Sequence, residues 1–217
     1  MWLKHYKLNE QEQKLVDMSR EEFDKYMMSN YADMFKQRYL EKDQKIILPM
    51  NFGFEIGPGW HHVLDSLCSK LKIIQDLTGY VCVFEQIKEK YGGARFYYHT
   101  ELVDKNKPSL QGDQIVNIID DLVSMYEEYC DYVCEELGTN IDAEEKVQVG
   151  SWYYGMGIEG FKKWTKEAFP ESSDARIKAA EEDLEYRKKR REIKEKLYEL
   201  SDRGIDEISV KLSENPQ

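Results

Sequence analysis

The sequence predicts an α+β protein. It is mostly helical, with a central β-hairpin or small antiparallel sheet packed on helices and a long charged C-terminal helix. Three observations carry this expectation. His61–Thr78 and the stretch from Asp113 or Gln114 to about Leu137 repeat apolar residues at i, i+3 or i+4. Tyr80–Lys90 is rich in β-formers and folds back through Tyr91-Gly92-Gly93-Ala94 into Arg95–Thr100. Ala175–Leu200 mixes Lys, Arg, Glu and Asp around a thin apolar line.

The chain has 217 residues, enough to bury a core, and predicts a globular domain over 1–170 with a charged helical extension over 171–217. Its 31 Lys+Arg against 42 Asp+Glu leave −11, which disfavours nonspecific binding to nucleic acid because the phosphates repel it. Aromatic residues at 12% argue against wholesale disorder. No apolar run approaches the roughly 18–20 residues that span a bilayer, and the polar start MWLKHYKLNEQEQK lacks a secretory h-region. Four cysteines in a chain of this size do not make a disulfide scaffold, so a reducing cytoplasm is expected.

Residues 1–45 read as amphipathic helix, with Ser19 ahead of Glu21 and Glu22 as an internal start and Asn30 as a possible break. Residues 49–60 carry three Gly and two Pro, which excludes a helix interior and predicts a structured loop open to close approach. Trp60 ends that loop and starts the 61–78 helix, for which Gly79 is the expected C-terminal cap. Residues 101–112 read as a polar loop. The aromatic stretch around Trp152, Tyr153 and Tyr154 reads as a loop or short strand, followed by a short helix near Ile158–Phe169. Ile205, Ile208, Val210 and Leu212 suggest a last turn or edge strand.

The densest chemistry lies at the hairpin. Lys88 and Lys90 share one strand face, and Arg95 approaches it from the returning strand. Gly92 and Gly93 could expose backbone N–H groups as an anion nest, and Arg95 offers a planar fork for phosphate or carboxylate. Tyr91, Tyr97 or Tyr98 could stack on a base, with Trp60 and His61 completing the candidate ligand site. The competing expectation is an exposed hairpin whose cations pair with the plentiful acids. His61 and His62 could act as acid or base, although adjacent helical residues point about 100° apart. Cys130 and Cys134 stand i, i+4, but no second ligand pair is present, so no metal and no cofactor are expected. The basic run Arg187–Arg191 reads as solvated helix rather than a phosphate contact.

Gly53-Phe-Glu-Ile-Gly-Pro-Gly-Trp60, together with Lys88-Glu-Lys-Tyr-Gly-Gly-Ala-Arg-Phe-Tyr97 and Tyr31-Ala-Asp-Met-Phe35, resembles a functionally unassigned set of small bacteriophage and prophage proteins. The resemblance covers about residues 30–138 and implies a phage source and a bacterial host cytoplasm. Many of those relatives follow the hairpin with C-x-x-C-G and a later C-x-x-H. Here Cys130-Asp-Tyr-Val-Cys134 is one residue too long and no second pair follows, so the resemblance implies a zinc site that this chain has lost.

The expected function is a phage-encoded, non-catalytic binding protein acting in counter-defence. It would sequester a nucleotide immune signal or block a host defence protein. The alternatives are an acidic protein–protein inhibitor or nucleic-acid mimic, and a phosphoester-cleaving enzyme using His61 or His62. The expected partner is a nucleotide-like small molecule or a host protein, with neither membrane nor nonspecific nucleic acid. The apolar line of the last helix leaves a homo-oligomer open.

Overall fold

The computed structural model describes residues 7–39, 47–107 and 112–202, with side chains up to residue 197. The suggested element at Ile205–Leu212 lies outside these residues. Helix α1 (Glu10–Val16) and helix α2 (Arg20–Tyr31) each begin with a reciprocal capping box, Asn9 with Glu12 and Ser19 with Glu22. Each box satisfies two end groups that would otherwise lack partners. Ser19→Ala is therefore expected to cost about 1 kcal/mol. An unchanged denaturant midpoint would show that the box adds nothing.

After α2 the chain tightens into turns over residues 32–39, which bury Met34 and Phe35. Arg38 anchors this turn through Asp24 at 2.6 Å and the Asn51 carbonyl at 2.6 Å. Two short 3-10 turns, Pro49–Phe52 and Pro58–Trp60, flank strand β1 (Phe54–Glu55). Helix α3 (His61–Thr78) follows, and Gly79 caps it with φ +77° as its position predicts.

Strands β2 (Tyr80–Lys90) and β3 (Gly93–Leu102) form the expected antiparallel hairpin. Tyr91 at φ +55° and Gly92 at φ +77° make the two-residue turn, the double left-handed geometry that matches strand twist. The sheet is mixed rather than purely antiparallel, because β1 joins β2 in parallel with Phe54 opposite Ile87 and Glu55 opposite Lys88. Phe23, Phe35, Phe54, Phe84 and Trp60 are buried between this sheet and the helices. Phe35 stacks on Phe84 at 5.2 Å and Phe23 meets Phe54 edge-on at 5.4 Å.

Helix α4 (Gly112–Cys130) corrects the expected helix to Leu137. Beyond Cys130 the backbone groups find partners elsewhere. Val133 bridges Asn140, the Cys134 N–H donates to the Thr139 carbonyl at 2.8 Å, and Trp60 Nε1 donates to the Val133 carbonyl at 2.8 Å. Gly138, at φ +69°, reverses the chain. The apolar stripe of α4 is also narrower than its sequence suggests, since Ile118 is exposed.

The Gly-rich loop and the segment after α4 form a close backbone joint. The Gly59 N–H donates to the Glu135 carbonyl at 2.6 Å, and the Glu135 N–H donates to the Gly155 carbonyl at 2.6 Å. Gly155 leaves room for the Trp60 ring, which a Cβ there would meet at 2.7 Å.

Strands β4 (Gln148–Val149) and β5 (Trp152–Tyr153) form a second, small sheet, and helix α5 (Ile158–Ala168) follows. Helix α6 (Ser173–Asp202) is the long charged helix. Its first half belongs to the body. Ala180 is fully buried with Phe161 and Val147, and Arg187 donates to the Lys146 carbonyl at 2.8 Å. Within the basic run, Arg187 pairs with Asp183, Lys189 with Glu185 and Arg191 with Glu144, so much of its charge is met by neighbouring acids.

Candidate functional site at the hairpin

The hairpin face is set by register. A bulge at Glu85 shifts the pairing, after which Gln86 lies opposite Tyr97, Lys88 opposite Arg95 and Lys90 opposite Gly93. Alternation then puts Lys88, Lys90, Arg95 and Tyr97 on one face, while Ile87 and Phe96 face the core. Lys88 Nζ stands 5.1 Å from the Tyr97 ring centre and Lys90 Nζ stands 5.4 Å from that of Tyr91. Such cation–π contacts hold the ammonium groups without neutralising them. Arg95 donates to the Ala94 carbonyl at 2.6 Å through Nη1.

Among the described residues, none of Lys88, Lys90 and Arg95 makes an ion pair, although acids outnumber bases in this chain. The face therefore differs from the self-neutralised hairpin that was the competing expectation. Tyr91 is 80% exposed and Tyr97 41%, so both rings are open to a ligand.

The turn itself is closed. Gly92 and Gly93 are buried. The Gly92 N–H donates to Glu89 Oε1 at 2.6 Å, and its carbonyl accepts from the Lys146 ammonium at 2.7 Å. The expected anion nest at Gly92 is thus occupied by a carboxylate of the chain itself. Any anion on this face would be held by side chains.

Trp60 and His61 stand apart from the hairpin face. Trp60 is fully buried and its N–H is spent on Val133, so it presents no surface to a base. His61 is 3% exposed, stacks on Phe23 at 3.7 Å, and has Nδ1 at 2.9 Å from the Leu15 carbonyl. Burial pushes its pKa down to about 4, which keeps the ring neutral. A neutral imidazole with one nitrogen engaged is a poor general acid.

Two features of this region lie beyond the sequence expectations. Gly92 packs against the backbone of Tyr154, which brings the exposed Trp152 and Tyr153 of β5 beside the hairpin turn. Lys146, a nearly buried cation, ties the turn to Asp131 at 3.0 Å. An exposed Trp in a Gly-flanked stretch was a visible signal for the first. No local pattern marks the second, because it links segments far apart in the chain.

The four cysteines are free and buried. Burial drives the Cys68 and Cys130 thiols well above their usual range, as for small core residues. Among the described residues no group of three or more His, Cys, Asp or Glu could hold a metal ion. No helix among these residues is long and apolar enough to cross a membrane.

No protein-family model matches this chain, no curated protein matches it, and no solved structure matches it. Its chemistry rests on its own residues.

Proposed function

We propose that this is a phage-encoded, non-catalytic binding protein acting in counter-defence, and that its hairpin face captures a phosphate-bearing ligand such as a nucleotide immune signal. The observation that carries the proposal is the set of three cations without carboxylate partners among the described residues, Lys88, Lys90 and Arg95, flanked by two exposed tyrosines. Keeping these charges unpaired on a chain of −11 is what a local anion site requires. Arg95 supplies the planar fork, the two ammonium groups add charge, and Tyr91 and Tyr97 offer rings for a base. The phage source rests on the resemblance of the Gly53–Trp60 and Lys88–Tyr97 motifs to those of phage and prophage proteins.

Arg95→Ala is expected to weaken binding by roughly ten- to a hundredfold, the equivalent of about 1.5–3 kcal/mol for a charged hydrogen bond. Native mass spectrometry of the protein purified from cells with active nucleotide signalling would read this directly. A nucleotide-mass adduct retained in full by Arg95→Ala would rule out capture at this face.

A second reading, inhibition of a host defence protein, is favoured by Trp152 at 73% exposure and Tyr153 at 50% beside the same turn. Exposed aromatics of this kind anchor protein interfaces. A co-purifying host polypeptide, lost on Trp152→Ala and free of nucleotide, would favour it.

A further inference from the structure

On the other side of β2 from Lys88 and Lys90 lies a cavity of about 510 Å³, between the start of α2, the β1 loop, the 154–156 segment and α5. Two of its walls are the Tyr154 and Trp164 rings, 5.5 Å apart and tilted by 50°. Ile56 and Met156 add apolar lining.

Glu135 also lines this cavity. Its side chain belongs to a residue only 8% exposed. One carboxyl oxygen, Oε1, accepts the Gly57 N–H at 2.9 Å, and among the described residues no hydrogen bond reaches Oε2. Oε2 is not among the fully buried side-chain atoms that lack a partner, so it is reachable through the cavity and can accept from a donor seated there.

The charged groups around it do not supply that donor. Lys163 of α5 is spent on Glu136 at 2.8 Å, and Lys146 is spent on Asp131 at 3.0 Å and on Gly92. Arg20 of α2 donates to the Phe52 carbonyl at 2.9 Å. Glu89 of β2 is turned to the Gly92 N–H, Glu55 of β1 accepts from Gln86 at 3.0 Å, and His61 of α3 is neutral. The cavity therefore combines aromatic walls, apolar lining and a carboxylate with one open oxygen.

We propose that this cavity binds a cationic nitrogen group on an apolar stem, an alkylammonium or alkylguanidinium, seated on Glu135 Oε2 against the Tyr154 and Trp164 rings. An ammonium or guanidinium gains a charge-assisted hydrogen bond from the carboxylate and cation–π attraction from the rings, while its stem covers apolar wall. The site is independent of anion capture at the hairpin, since it uses the opposite face of the strand. Burial raises the empty Glu135 carboxyl to about pH 7, so binding a cation releases a proton and weakens in acid.

The test is calorimetric titration of the full chain with butylguanidinium, butylammonium and the neutral isostere butyramide, at about pH 8 and about pH 5.5. Both cations are expected to bind and butyramide is not. Cation affinity is expected to fall roughly thirtyfold at the lower pH, because the ionised fraction of a group titrating near 7 drops by about that factor between the two pH values. Glu135→Gln keeps the acceptor for the Gly57 N–H, and its fold is verified by a thermal melt. It should lose at least tenfold in affinity at about pH 8 and lose the pH dependence, while Trp164→Leu should lose several-fold. Blocked arginine amide distinguishes the sources. Binding as tight as butylguanidinium assigns the site to a partner's arginine, and exclusion of the blocked residue assigns it to a free amine or guanidine. Equal binding of butyramide, unchanged cation affinity in Glu135→Gln, or no binding of either cation at tens of millimolar would overturn the proposal.

Discussion

Gly59→Ala is expected to destabilise the protein more than any other single methyl addition in the Gly-rich loop. The backbone at Gly59 has ordinary φ, so the requirement is for space. A Cβ there would fall far inside contact distance of the Cys134 carbonyl oxygen and the Gly138 amide nitrogen, and 2.7 Å from the Glu135 carbonyl oxygen. All three are backbone atoms, which cannot rotate away as a side-chain end can. Relief means separating the loop from the 134–138 segment, which breaks the Gly59–Glu135 hydrogen bond and unseats Trp60 from Val133. Overpacking and the lost bond together should cost about 3 kcal/mol or more. For a domain near 200 residues this corresponds to a fall in Tm of roughly 6–12 °C. Gly150→Ala is the control. Gly150 has φ +62° but nothing within 4 Å of an added Cβ, so its cost is confined to about 1–2 kcal/mol of left-handed strain. A thermal melt that ranks Gly150→Ala as the more damaging would show that the loop and the 134–138 segment do not meet as closely as the structure has them.

That comparison also marks what was legible in the sequence. The glycine content of the loop announced a close approach, and the spacing of Val63, Leu64, Leu67 and Leu71 marked the buried face of α3, although Leu77 on the same expected face is exposed. The hairpin was readable because strand alternation and turn chemistry are local, although its returning strand starts at Gly93 rather than Arg95. The partners of the glycines were not readable. Gly59 meets residues some 75 positions away, and nothing local distinguishes a glycine opening to a ligand from one opening to the chain's own backbone. The same gap explains three departures. Trp60 had the composition of a stacking platform and is a core residue. Gly92 had the composition of an anion nest and is closed by Glu89 and Lys146. The 131–137 stretch keeps helical periodicity, yet its backbone groups are claimed by Thr139, Asn140 and Trp60. Lys88 and Arg95, by contrast, were found correctly as cross-strand neighbours. Their lack of carboxylate partners among the described residues depends on distant parts of the chain and could be seen only once it is folded.

Glu135→Gln is expected to stabilise the protein, and to do so only above acidic pH. The carboxyl has its pKa raised from 4.5 to about 7, chiefly by burial, with Glu89 and Glu136 adding repulsion and the Gly57 N–H opposing. A raised pKa means that the folded state holds the proton more tightly than the unfolded state. The benefit is complete below pH 4.5 and is lost as pH rises to about 7. At 1.36 kcal/mol per pH unit, the loss is about 3 kcal/mol. Gln carries no charge at any pH, so the stability difference between variant and natural protein should be near zero below pH 4.5 and approach about 3 kcal/mol in favour of the variant above pH 7. His61 acts in the opposite sense. Burial lowers its pKa from 6.5 to about 4, so its contribution is present above 6.5 and lost as pH falls. In the natural protein the two slopes oppose each other between pH 4.5 and 6.5, whereas His99, whose charged form Glu101 and Glu85 favour, acts in the Glu135 sense only above 6.5. Removing Glu135 should therefore unmask a fall in stability with acid across that window. Urea unfolding of both proteins at a series of pH values measures the difference directly. A constant offset, or a variant less stable above pH 7, would mean that Glu135 is ionised and satisfied in the folded state, and its open oxygen would then need a partner from within the chain.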